Sequence, residues 1–193
     1  MKYRFPKIKD ASWNSYNRHQ ERYEVIKHLL GVNAIGAEIG VYKGGFGEFL
    51  LPHCKKLYLV DPWDRLKPYW GEVKPENSAA LALQNIKKVY QEEINSDLVE
   101  VVSEFSVPFL ESQRVNTFDW IYLDASHLYE HTLTEIRASL RVLIVGGYLI
   151  GDDYDPDPSS NQHGVYRAVN QIVEELDLRL ILNKNRQWAI KVN

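Results

Sequence analysis

The sequence contains one cysteine, Cys54, and one methionine in 193 residues. A single cysteine excludes an intrachain disulfide framework and a cysteine zinc knuckle, and with no motif around it Cys54 reads as a packing residue. Charge of one sign is also scarce: 23 Lys plus Arg against 26 Asp plus Glu leave a net charge of -3. That balance is a poor footprint for gripping a phosphate backbone, so no nucleic-acid partner is expected. No apolar run approaches the ~18 residues of a membrane span, and "MKYRFPKIKD" lacks the apolar stretch of a signal peptide. The expectation is a cytoplasmic chain without a membrane partner. Neither G-x-G-x-x-G nor a Gly-Lys-Ser/Thr loop occurs, which disfavours a dinucleotide pyrophosphate turn and a Walker A loop.

What is present describes a folded domain: 45% hydrophobic, 12% aromatic and 25% charged residues. A chain of this length buries about 70% of its unfolded surface without metals or disulfides, so any metal is expected to serve function. Five short apolar runs end in Gly, Ser or acidic residues: 34–40, 56–61, 98–103, 118–124 and 147–153. Helical periodicities alternate with them over 45–51, 77–93, 128–143 and 165–176. This order predicts an α/β fold, a doubly wound Rossmann-like sheet, mostly parallel, with helices on both faces. "LRLIL" and "QWAIKV" predict an antiparallel C-terminal hairpin, which raises the strand count to seven. Residues 1–33 read as an N-terminal helical extension and 34–193 as the single main domain.

In such sheets ligands bind beyond the carboxyl ends of the strands, so strand-terminal residues are the candidates. "AEIGVYKGG" follows the first strand, and Gly40 and Gly44 permit a sharp turn close to a ligand. Glu38, just before the turn, would repel a phosphate but suits a ligand bearing an ammonium group. Asp61 ends the second strand, 21 residues beyond Gly40, the spacing at which a carboxylate accepts hydrogen bonds from ribose hydroxyls. Trp63 is a candidate cover for an adenine face, and Ser103 and Phe105 for its other edge. An adenosine-type ligand carrying an amino group follows.

"AEIGVYKGG", "LYLVDPW", "FDWIYLDASH" and "GYLIGDDY", in this order, resemble the nucleotide-binding motifs of class I S-adenosylmethionine-dependent methyltransferases. The resemblance runs from about Ala34 to the terminal hairpin. It implies that Glu38 and the turn residues Gly40, Val41, Tyr42 and Gly44 hold the methionine portion of S-adenosyl-L-methionine, and that Asp61 holds the ribose.

Asp124 ends the fourth strand, and Asp152 and Asp153 end the fifth. Three carboxylates at adjacent strand ends repel one another unless a cation lies among them, and hard oxygen donors suit Mg2+. "DASHLYEHTL", "VGGYLIGDDY" and "GVYRAV" are similar to the metal-dependent small-molecule O-methyltransferases, including the macrocin-type sugar enzymes. In that resemblance Asp124, Asp152 and Asp153 match the metal-binding positions. His127, three residues after Asp124, is the candidate general base, with Asp124 as the alternative. His19, His28 and His53 have no motif around them.

The expected activity is therefore methylation of a small-molecule hydroxyl, in a sugar or secondary metabolite, with Mg2+. A metal-independent methyltransferase and a nonenzymatic cofactor-binding partner subunit are the alternatives, and self-association is left open. The aromatic, proline-rich segment 63–75 reads as a lid containing Trp63, Tyr69 and Trp70, which together with Trp13 and Tyr16 would select the acceptor.

Overall fold

The computed structural model describes residues 13–63 and 79–193, with side chains from residue 16 onward. Tyr69, Trp70 and most of the expected lid lie outside the described residues, as does the side chain of Trp13. The chain opens with α1 (Trp13–Ile26), continues through one 3-10 turn (Lys27–Leu29), and enters β1 (Ala34–Ile39). Then come α2 (Gly47–Leu50), β2 (Cys54–Asp61), α3 (Ala79–Val89), α4 (Gln91–Asn95), β3 (Val99–Ser103), α5 (Ser106–Ser112) and β4 (Phe118–Leu123). The rest is α6 (Tyr129–Val142), β5 (Leu143–Gly151), α7 (His163–Glu175), β6 (Leu180–Lys184) and β7 (Gln187–Lys191).

The strands form one seven-stranded sheet in the order β3-β2-β1-β4-β5-β7-β6. β1 pairs in parallel with β2 and β4, whereas β7 runs antiparallel to β5 and β6. The order reverses direction between β1 and β4, the switch point where a crevice opens above the strand ends. Ile39, Val60, Ile121 and Leu149 are buried in the core on one face of this sheet, whereas Leu59, Trp120 and Ile150 belong to the core on the other. Burial on both sides is why these strands read as continuous apolar runs.

Several expected boundaries move. α5 was not expected; it occupies "SVPFLES", where Pro108 near the first turn is tolerated and Phe109 and Leu110 supply the buried face. The single helix expected over 77–93 is two, broken at Tyr90, which is buried and donates its hydroxyl to the Gly44 carbonyl at 2.9 Å. On α6 the buried stripe is Thr132, Glu135, Ile136, Ser139 and Val142. Leu133 and Leu140 pack only partly, and Leu143 already starts β5 with extended backbone. α7 occupies the expected segment and buries Val165, Ala168, Val169 and Ile172 on one face, whereas Leu176, also expected on that face, follows the helix and is exposed.

The N-terminal helix is joined to this body. Ile26, Leu29 and Leu30 are buried in the same core as Leu57, Leu59 and Trp120. Tyr16 and Tyr23 pack their rings on Phe49 at 5.5 and 5.6 Å. Cys54 is half-buried, donates to the Leu50 carbonyl, and is pushed up to about 12 by burial, so it is inert packing. Among the described residues no helix is long and apolar enough to cross a membrane.

Candidate active site

The carboxyl ends of β1, β2, β4 and β5 converge on one crevice. At the end of β1 the chain turns through Gly40, whose backbone has φ +92. A β-carbon there would lie 2.0 Å from the Asp124 carbonyl oxygen, so only glycine lets the turn approach the end of β4 this closely. Gly40 N–H donates to Val60 and Asp124 N–H donates to Ile39, which stitches the three strand ends together.

Glu38 sits beneath this turn, 3% exposed, and its Oε2 has no hydrogen-bond partner among the described residues. Burial, then the nearby charge of Asp124, raises its pKa well above the usual carboxylate range, although Arg22 opposes the shift. A buried carboxylate oxygen left unpaired is costly, and a ligand ammonium group would satisfy it.

Asp61, at the end of β2, is buried beside the same turn. Its Oδ2 accepts the Tyr42 N–H at 2.9 Å and its Oδ1 accepts the Trp63 N–H at 3.0 Å. Burial raises its pKa, and the backbone donors pull it back. With the Val41 N–H also facing the carboxylate, about one lone pair is left for a ribose hydroxyl. Trp63 is fully buried and donates its indole N–H to the Tyr42 carbonyl at 2.8 Å, so it braces the turn from within. Val41 is buried, Tyr42 is half exposed with φ 49, and Ser103 lies beside Asp61 in the β2–β3 register. Phe105, half-buried, immediately precedes α5.

The second half of the crevice holds the charges. Asp124 is half-buried, whereas Asp152 and Asp153 are buried. Asp153 has φ 63, a left-handed conformation that re-aims its carboxylate. Asp152 is fixed on several sides: Trp188 Nε1–H donates to its carbonyl at 3.1 Å, Gln187 donates to Oδ1, and Arg22 pairs with Oδ2. Tyr122 completes the chain by donating its hydroxyl to Gln187 at 2.8 Å. Burial and Asp124 raise the Asp152 pKa, and Arg22 opposes them.

His127 Nε2 lies 2.9 Å from Asp153 Oδ2 and 3.9 Å from Asp124 Oδ1, a close ion pair that falls short of an aligned hydrogen bond. Its loop is pinned because Gly164, in the first turn of α7, packs against it; a β-carbon there would lie 2.2 Å from the His127 carbonyl. Asp124, then Asp153, holds the imidazole up at about 10, so at neutral pH it carries a proton in this arrangement. One ligand atom each from Asp124, His127 and Asp153 lies within 4.8 Å of the others. Carboxylate oxygens with one imidazole nitrogen fit a divalent cation, with Asp152 adjacent.

The residues that sequence reasoning missed lie on α1 and at the β6–β7 turn. Arg22, 9% exposed, donates to Asp124 Oδ2 at 2.9 Å and pairs with Asp152; Arg18 lies 3.5 Å from Asp152. Arg186, from the β6–β7 turn, lies 3.6 Å from Asp153. The carboxylates therefore have protein cations among them. His19 packs on Phe46 with ring centroids 5.7 Å apart, and its Nε2 lies 3.0 Å from where a β-carbon of Gly45 would be. Burial and the charges of Arg22 and Arg18 lower it to about 4, so it is neutral at physiological pH. A basic residue every fourth position on a helix was the one available signal for Arg18 and Arg22; it normally marks a solvated face.

This sheet order, with its antiparallel β7 and a glycine turn flanked by Glu38 and Asp61, defines a class I, Rossmann-like S-adenosylmethionine-dependent methyltransferase. A family model described as "Methyltransferase domain" matches residues 37–154, and the chain belongs to that family. No curated protein matches the sequence. Among solved structures it is similar to a Corynebacterium glutamicum protein, with a TM-score of 0.66 and 12% identity over 95% of this chain and 91% of that one. It is also similar to the N-methyltransferase NodS of Bradyrhizobium japonicum WM9, with a TM-score of 0.61 and 19% identity over 94% and 99% of the two chains. A Streptococcus mutans protein assigned as a methyltransferase, in complex with SAH, gives 0.58 and 18% over 89% and 94%. These likenesses speak for the shared fold.

Proposed function

We propose that this methyltransferase acts on a hydroxyl of a small molecule, a sugar or secondary metabolite, with Mg2+ held at the ends of β4 and β5. The observation that carries the cofactor half is the buried, unpartnered Oε2 of Glu38 beneath the glycine turn. Glu38 is assigned to the methionine ammonium group, Gly40, Val41, Tyr42 and Gly44 to the methionine portion, and Asp61 to the ribose. Trp63, Ser103 and Phe105 are assigned to the adenine surroundings, with Trp63 acting through the turn it braces.

The acceptor half rests on the charged cluster. Asp124, Asp152 and Asp153 are assigned to the cation; the grouping with metal-ligand spacing is Asp124, His127 and Asp153, while Asp152 is paired with Arg22. When bound, the methyl donor supplies an electrophilic carbon on sulfur, and a divalent cation lowers the pKa of an acceptor hydroxyl. His127 is the assigned base and Asp124 its alternative. The charge that keeps His127 protonated comes from Asp124 and Asp153, so neutralising those carboxylates frees the imidazole to take a proton at Nε2. The net charge of -3 and the carboxylates at the ends of β4 and β5 support a small polar acceptor over a polyanion.

Radiolabelled S-adenosylmethionine with a panel of hydroxylated acceptors, with and without chelator, tests this reading. The expected result is labelled ether product that disappears on chelation and returns with Mg2+. Label found only on nitrogen, or full turnover in chelator, would replace the hydroxyl or the cation assignment respectively.

A further inference from the structure

Glu135 is a buried carboxyl that the chemistry described above leaves unused. It lies on α6, 4% exposed, and reaches two loops at once. On one side the Ser126 N–H faces its carboxylate, while Thr132, one turn earlier on the same helix, donates its hydroxyl to the Ser126 carbonyl at 2.7 Å. α6 therefore holds both backbone groups of Ser126, the residue immediately before His127. On the other side Glu135 Oε1 accepts the Ser106 hydroxyl at 2.5 Å. Ser106 opens α5 directly after Phe105 and three residues beyond Ser103, which lies beside Asp61 in the sheet.

Packing alone does not call for a carboxyl at this position. α5 and α6 already share a core through Phe109, Leu110, Ile136 and Val142. Glu135 adds to it a carboxyl whose Oε2 has no hydrogen-bond partner among the described residues. A polar group buried without full pairing is disfavoured, so an apolar side chain would serve the helix pair better. What an apolar side chain cannot supply is a hydrogen-bonded link between the segments 103–106 and 124–128. These follow β3 and β4, and they carry the assigned adenine edge and His127 respectively.

We propose that Glu135 is a positioning residue, a clasp that joins the adenine side of the crevice, through Ser106, to the loop carrying His127, through Ser126. This rests on the cofactor reading given above. Glu135 itself touches neither cofactor nor acceptor. A ligand that orders the segment after β3 also orders the segment after β4, so the two halves of the site form together. The coupling is reciprocal: whatever the ordered His127 loop adds to cofactor affinity, the bound cofactor adds to the order of that loop.

The test uses the whole chain and S-adenosylhomocysteine alone. Calorimetry compares the wild type with Glu135→Ala, Glu135→Gln, Ser106→Ala and Ser139→Ala, and amide hydrogen exchange at residues 125–128 is followed with and without saturating ligand. In the wild type, bound S-adenosylhomocysteine is expected to slow exchange at 125–128. Glu135→Ala and Ser106→Ala are each expected to weaken binding by about threefold to tenfold and to lose most of that slowing. Glu135→Gln keeps an acceptor oxygen for the Ser106 hydroxyl and is expected to restore both. Ser139 lies buried one turn further along α6, with no hydrogen-bond partner for its hydroxyl among the described residues, so Ser139→Ala is expected to match the wild type. Ser106→Ala decides the matter alone if Glu135→Ala does not fold. No slowing in the wild type, slowing unchanged in Ser106→Ala, or slowing lost equally in Ser139→Ala overturns the clasp while leaving the cofactor reading standing. If the wild type does not bind S-adenosylhomocysteine, the cofactor reading itself falls, and the clasp with it.

Discussion

Arg22 donates a 2.9 Å hydrogen bond to Asp124 across 102 residues of sequence, joining the N-terminal helix to the end of β4. The pair shows how the site solves its own charge problem. Three carboxylates at two strand ends meet guanidinium groups from α1 and from the β6–β7 turn. Removing one partner of such a buried pair leaves an uncompensated charge, the costly outcome.

Glu38→Gln is expected to move stability and cofactor affinity in opposite directions. The ligand-free protein gains stability, because a buried carboxylate with an unpartnered oxygen is replaced by a neutral amide. Affinity for S-adenosylhomocysteine falls by roughly 1 to 3 kcal/mol, because the ammonium group loses its charged partner. Urea unfolding and calorimetry on the same variant read both signs. A variant weaker in both would make Glu38 a structural residue.

Asp61→Ala is expected to weaken binding by a similar 1 to 3 kcal/mol and also to loosen the turn, since Tyr42 and Trp63 N–H both lose their acceptor. Asp61→Asn keeps one acceptor oxygen and should show a smaller loss. Binding that is unchanged in Asp61→Ala would remove the ribose assignment.

The two histidines near the acceptor side are expected to titrate in opposite directions. In chelated protein, His19 stays neutral from pH 8 down to about 5, because burial and the neighbouring arginines hold it at about 4. His127 stays protonated up to about pH 9, because Asp124 and Asp153 hold it at about 10. Ring-proton NMR of the wild type against single His→Gln variants assigns each signal. A His127 midpoint near 6.5 would contradict the charge coupling described here.

Glu135 predicts a pH dependence of folding stability. It is 4% exposed on α6, accepts the Ser106 hydroxyl at 2.5 Å, and burial raises it from 4.5 to about 7. The native state therefore binds more protons than the unfolded state between those values, so this contribution to stability falls as pH rises from 4.5 to 7 and is flat above. The full span is about 3 kcal/mol. Glu135→Gln, which keeps the volume and cannot ionise, is expected to flatten that part of the stability profile. An unchanged slope would show that the carboxyl finds compensation on ionising.

The parts of this molecule legible in its sequence are those determined locally. The central strands β1, β4 and β5 carry buried residues on both faces, so their apolar runs are continuous, and Glu38, Gly40, Asp61, Asp124 and Asp152 mark strand ends by their positions alone. The helix break at Tyr90 was hidden because it leaves the apolar periodicity intact. The arginines were hidden because their partners lie far away in the chain, and Arg22 looks like any solvated helix residue until α1 docks. Gln187, which bridges Tyr122 and Asp152, reads as an ordinary polar strand residue. The protonation of His127 depends on distances to two carboxylates, which spacing does not supply.

The central claim is a crevice built for an adenosine-linked amino acid, with Glu38 for its ammonium group and Asp61 for its ribose. Calorimetric titration of the wild-type protein with S-adenosylhomocysteine, and in parallel with NAD, tests it most directly. The account predicts one site of micromolar affinity for the former, about -8 kcal/mol, and no heat from the latter. Binding of NAD with no binding of S-adenosylhomocysteine or S-adenosylmethionine would contradict it.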